Sequence, residues 1–147
     1  MVLKNIVSKK PVSTVICDAV IQNLPSVQEK VSEFLESTIC RPATMMHIEM
    51  IIEELYVNVA SYAYPGTTGK IQIEMALDKD PDAVRITLRD KGIPYNPLEN
   101  KEPDLSLSAS ERSVGGLGIY LSRKFANSIT YKRENDENIL TFTKNLP

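Results

Sequence analysis

The amino-acid sequence predicts an α/β two-layer sandwich, a mainly antiparallel mixed sheet with its helices gathered on one face. Three observations carry that prediction. Apolar residues return every three to four positions in two early segments. Strand-like alternation recurs in pairs separated by short polar turns. The element order is strand, helix, helix, two strands, polar stretch, helix, two strands. With 147 residues the chain suits one domain around one modest core, taken as residues 1–147.

The first strand falls on residues 12–20, rich in Val, Ile and Thr, and residues 23–26 supply a turn. A helix over residues 26–37 follows, because Val27, Val31, Phe34 and Leu35 share one face. The longest helical segment is PATMMHIEMIIEELYVNVASYAYPG. Pro42 is tolerated in its first turn, where the missing donor costs little, and Pro65 with Gly66 ends it. Met50, Ile51, Leu55, Val59 and Ala63 form the expected core stripe. Glu54 and Asn58 are one turn apart, with Cα atoms roughly 6 Å from each other at 1.5 Å rise per residue.

KIQIEMAL (70–77) and AVRITL (83–88) alternate as strands, joined by Asp80, Pro81 and Asp82 as a hairpin connection. DKGIPYNP then ends the pairing and builds a tight loop. Residues 98–114 are polar and read as a flap. The glycines of GGLG (115–118) lead into a helix carrying Leu117, Tyr120, Leu121 and Phe125. SITYKR and NILTFT, separated by ENDE, form a terminal hairpin.

Composition narrows the function classes. Apolar residues make up 42% and charged residues 24%, the usage of a globular chain rather than a disordered or collagenous one. Seventeen Lys and Arg against 19 Asp and Glu leave a net charge of −2, with no global attraction for nucleic acid or anionic lipid. No apolar run reaches the roughly 20 residues that span a bilayer. Cys17 and Cys40 fit no metal spacing and read as thiols in a reducing compartment, so a cytoplasmic location is expected.

Three clusters carry chemistry: Glu54 with Asn58 on a helix, Asp90 with Gly92 after a strand, and Gly115 to Gly118 before a helix. Alone, each is an ordinary helix face, turn or helix start. Together they meet the needs of an ATP site: a partner for adenine, a closely approaching backbone for phosphate and an oxygen ligand for Mg2+. Asp90 offers an acceptor to the adenine amino group, Gly92 leaves room beside the purine, and Asn58 offers a carbonyl oxygen to Mg2+. The amides of Gly116, Leu117 and Gly118, at a helix N-terminus, suit phosphate oxygens.

At these residues the chain resembles the small Bergerat-fold, or GHKL-type, histidine-kinase-like ATPases that act as anti-sigma factor serine-protein kinases. EELYVNVASYAY is similar to their N box, DKGIPYNP to the first glycine box, and ERSVGGLGIYLSRKFANSITY to the lid end and second glycine box. The resemblance covers about residues 11–143, with 98–114 as the ATP lid. It implies that Glu54 is the catalytic carboxylate for the accepting serine, Asn58 the Mg2+ ligand and Asp90 the adenine reader. It also implies that Gly92, Gly115, Gly116, Leu117 and Gly118 line the nucleotide, with Arg112 as a lid arginine near the terminal phosphate. Its partners would be a sigma factor and an anti-anti-sigma protein substrate, with homodimerisation through the N-terminal sheet and helix surface.

Tyr62, where many relatives carry His, and Pro94, where a third glycine is common, depart from the pattern. His47, the only histidine, has no metal-binding neighbours in sequence and reads as structural. The alternative function is a nucleotide-dependent protein-binding module with weak or no kinase activity.

Overall fold

A computed structural model of the chain describes residues 12–99 and 116–147. Its strands are β1 (Val12–Asp18), β2 (Lys70–Asp78), β3 (Ala83–Asp90), β4 (Ser128–Glu134) and β5 (Glu137–Asn145). They form one sheet in the order β1-β2-β3-β5-β4, and each of these pairings is antiparallel. The helices are α1 (Leu24–Leu35), α2 (Pro42–Tyr62) and α3 (Gly116–Phe125).

Strand alternation decides which residues meet the helices. Ile71, Ile73 and Met75 of β2, Val84, Ile86 and Leu88 of β3, and Leu140 and Phe142 of β5 join one core with Val27, Val31 and Leu35 of α1. From α2 the core takes Ile48, Ile51, Ile52, Leu55, Tyr56 and Val59, and from α3 Ile119. Burying each such aliphatic side chain contributes about 1.5–3 kcal/mol, and this face is what holds the two layers together. The predicted sandwich is the observed architecture.

Several boundaries differ from the sequence reading. Helix α1 starts at Leu24, so Pro25 lies in its first turn instead of in a preceding turn; a proline there loses no intrahelical bond. Strand β1 ends at Asp18, and the Ala19 amide leaves the ladder to donate to the Gly69 carbonyl at 2.8 Å. Helix α2 ends at Tyr62, before Pro65. Met50, expected in its core stripe, is only half-buried, whereas Ile48 and Ile52 are fully enclosed. The last hairpin turns on Asn135 and Asp136, with φ of 51° and 60°, a left-handed pair suited to these residue types.

The fold also accounts for two residues without chemistry. His47 stacks on Phe125 with ring centroids 4.1 Å apart, pinning α2 to the end of α3. Tyr56 is fully buried and its hydroxyl donates to the Val20 carbonyl at 2.7 Å, closing the bend after β1.

Candidate functional site

Along β3 the inward positions run Val84, Ile86, Leu88 and then Asp90, so the alternation that builds the core delivers a carboxylate to its end. Asp90 is 5% exposed. Its Oδ1 accepts from the Gly92 amide and from Asn138 Nδ2, both at 2.9 Å. Among the described residues no hydrogen bond reaches Oδ2. Burial pushes the Asp90 carboxyl above its ordinary value, opposed by the bonds from Asn138 and Gly92 and by the Arg133 charge.

The demand for glycine at position 92 comes from packing against α2. A Cβ there would collide with the Ala63 carbonyl, and the neighbouring Ile93 amide donates to that same carbonyl at 2.9 Å. The side of Gly92 that a Cβ would occupy is thus filled by the end of α2. Arg133 on β4 holds the loop from the opposite side, donating to the Gly92 carbonyl at 2.7 Å.

Asp90 lines a pocket with Asn58, Val59 and Ala63 of α2, Asn138 and Leu140 of β5, and Tyr95 and Pro97 of the loop. The cavity is about 10 Å³, room for about one water molecule. The Tyr95 ring meets Tyr62 at 5.6 Å, which places one of the two departures from the sequence pattern beside this pocket; Pro94 is exposed.

Asn58 joins the pocket to a second cluster. Its Nδ2 donates to the Glu54 carbonyl at 2.8 Å and to Glu54 Oε1 at 3.1 Å, the one-turn spacing acting as expected. With both donors turned toward Glu54, the amide oxygen is the part left for a ligand. Asn58 is 7% exposed, and a hard cation takes such an oxygen together with phosphate oxygens. Among the described residues there is no group of three His, Cys, Asp or Glu that would hold a metal without them. Glu54 is half-buried, and desolvation raises its carboxyl above the ordinary value against the opposing Asn58 bond; the Glu53 charge adds to the rise.

Helix α3 begins at Gly116, so Gly116, Leu117 and Gly118 form its first turn, whose amides have no intrahelical acceptor. A Cβ at Gly118 would overlap the Glu54 carboxylate. The structure thus gathers Glu54, Asn58 and Gly118 at one place and Asp90, Gly92 and Asn58 at the adjoining one. The Leu117 side chain is exposed, so only its amide has a place in this arrangement. Arg112, Gly115 and residues 100–114 of the expected lid lie outside the described residues.

Sequence reasoning missed Asn138, Tyr131 and Arg133. Asn138 is 3% exposed and uses its whole amide: Nδ2 donates to Asp90 and to the Ile93 carbonyl at 2.8 Å. Its Oδ1 accepts from the Tyr131 hydroxyl at 2.6 Å and from the Tyr95 amide at 3.3 Å. The signal was there in NILTFT, where Asn138 takes the inward position ahead of Leu140 and Phe142. A polar residue in a core row demands partners, since leaving one unsatisfied costs about 1–3 kcal/mol.

The sequence model of the histidine kinase-like ATPase domain matches residues 17–144. The serine/threonine-protein kinase BtrW of Bordetella bronchiseptica is 29% identical over 97 residues, 65% of this chain and 67% of that protein. Among solved structures, the RsbU and RsbW domains of Rv1364c from Mycobacterium tuberculosis align with a TM-score of 0.66 at 18% identity. That likeness, one of fold, covers 93% of this chain and 33% of the other, so this chain spans about a third of that protein. Among the described residues no helix is long and apolar enough to cross a membrane.

Proposed function

Because the chain belongs to the histidine kinase-like ATPase domain family, we propose that it is an ATP- and Mg2+-dependent protein-serine kinase that binds a sigma factor and phosphorylates a serine of an anti-anti-sigma protein. The observation that carries the chemistry is Asn58, whose side chain lines the Asp90 pocket and also donates to Glu54. Base recognition and phosphate chemistry thereby adjoin.

Asp90 Oδ2 would accept from the exocyclic amino group of adenine; guanine presents a carbonyl oxygen at that position, and acceptor would face acceptor. Asn58 Oδ1 would hold Mg2+, which when bound offsets the charge of the phosphate oxygens. The first-turn amides of Gly116, Leu117 and Gly118 would add donors and the positive end of the α3 dipole, while Gly115 and Arg112 would extend the phosphate side as the resemblance implies. Glu54 would orient the incoming serine and take its proton. The serine Oγ bonds to the terminal phosphorus as the bridging P–O bond breaks, and ADP leaves.

The kinase reading is supported by BtrW, which bears the name of a serine/threonine-protein kinase. Its sigma and anti-anti-sigma partners rest on the family resemblance of the motifs. Incubation with labelled ATP, Mg2+ and the anti-anti-sigma proteins of the same genome, with the phosphate mapped on protein, tests both. Label on a serine of one of them is the expected result. Tight ATP binding without transfer would instead establish a nucleotide-dependent binding module.

A further inference from the structure

We propose that Asn138 is the positioning residue of the base pocket, with Tyr131 as its anchor: the amide presents Asp90 with one oxygen free and thereby sets the preference for adenine over guanine. The inference rests on the reading of this pocket as an adenine site.

Asn138 stands opposite Asp90 in the β3–β5 register, so the sheet itself brings amide to carboxylate. Turning a side-chain amide by half a revolution exchanges donor and acceptor, and here three partners forbid the exchange. The Ile93 carbonyl and the Asp90 carboxylate only accept, and both face Nδ2. The Tyr95 amide only donates, and it faces Oδ1. The Tyr131 hydroxyl, at 2.6 Å, adds the shortest bond of the set from a different strand. One amide therefore fixes both the carboxylate and the loop that closes the pocket.

The consequence is directional. Asn138 and Gly92 both donate to Oδ1, which leaves Oδ2 as the acceptor for the base. Around this pair stand Arg133 on β4, Glu137 on β5 and the Tyr64 phenol beyond the end of α2, while Asn58 faces it from α2 itself without charge. None of them donates to Asp90 in place of the amide.

Asn138→Asp provides a test that packing alone would not pass. At acid pH the new carboxyl carries a proton and donates it to Asp90 Oδ1, which preserves the parental arrangement. As pH rises through the titration of the pair, that proton is lost, two carboxylates face each other and ATP affinity falls. The expected result is affinity, relative to the parent at each pH, about tenfold or more weaker at pH 8 than at pH 5.5. Dividing by the parent removes the titration of the nucleotide itself. Tyr131→Phe, which deletes one half-buried hydroxyl, is expected to lower ATP over GTP discrimination about three- to tenfold with little change in melting temperature.

A parent that binds neither nucleotide, or both equally, would sink the adenine reading. A parent that prefers ATP, together with a flat Asn138→Asp ratio, overturns the positioning role specifically. So does Tyr131→Phe with parental discrimination, and that variant decides the matter if Asn138→Asp fails to fold.

Discussion

The Glu54 carboxylate fills the space into which a Cβ at Gly118 would project, so the first turn of α3 lies directly against the acidic side chain of α2. The obstacle is the end of a flexible side chain rather than backbone. Gly118→Ala should therefore fold by pushing Glu54 aside, and alanine is the better helix former by about 0.5–1 kcal/mol. Melting temperature should hold or rise slightly while phosphoryl transfer falls about tenfold or more, because a displacement of about 1 Å at a reacting group is that costly. Circular dichroism melts paired with single-turnover transfer would check both halves. Undiminished transfer would show that the position of Glu54 at rest has no bearing on the reaction.

Asp90→Asn separates stability from recognition. The amide oxygen of the new residue still accepts from Gly92 and Asn138, so the loop keeps its bonds. Burial raises the Asp90 pKa, and the sign follows: its contribution to stability is greatest when it is protonated at acid pH and declines as pH rises from the unfolded value through the folded one. The variant removes that penalty, and its melting temperature at pH 7 should match or exceed the parent's. ATP binding should weaken by about 1–3 kcal/mol, since a charged acceptor is lost and a donor can now face a donor. Calorimetric titration with equal affinity in parent and variant would exclude Asp90 as the base reader.

The elements were legible where a single period ran without interruption. KIQIEMAL and AVRITL alternate cleanly and became β2 and β3, and the 21 residues of α2 were bracketed by prolines. Glu54 and Asn58 meet because four residues make about one helical turn, a local relationship that needs no tertiary knowledge. The start of α1 was less legible, since a proline in a first turn and a proline in a loop read alike. Asn138 was hidden for a different reason. Its meaning lies in a partner 48 positions away across the sheet, and only the register of β3 on β5 brings the two together.

Asn58→Ala should act on metal-dependent binding more than on folding. The lost bonds to Glu54 involve a half-buried carboxylate and a helix carbonyl, so the stability cost should be about 1–2 kcal/mol. Affinity for Mg-ATP should drop about tenfold or more, with a smaller loss for ATP measured in chelator. Titrations with and without Mg2+ give the comparison. Equal losses in both would reassign Asn58 from the metal to the organisation of the pocket.

Glu54→Gln is the sharpest test of the chemistry because it keeps the shape of the side chain and removes the base. Desolvation raises the Glu54 pKa against the opposing Asn58 bond, so its ionised form is gained at higher pH than in an ordinary glutamate. A base must be ionised to take the serine proton, so parental transfer should rise with pH through that shifted value and then level. In Glu54→Gln the rate should fall by roughly 10²-fold, and this acid limb should vanish, while ATP affinity changes less than about tenfold. A surviving acid limb in the variant would assign the titration to another group, such as Asp90, whose pKa is also raised. Loss of ATP binding together with transfer would instead make Glu54 an organiser of Asn58 through the bond they share.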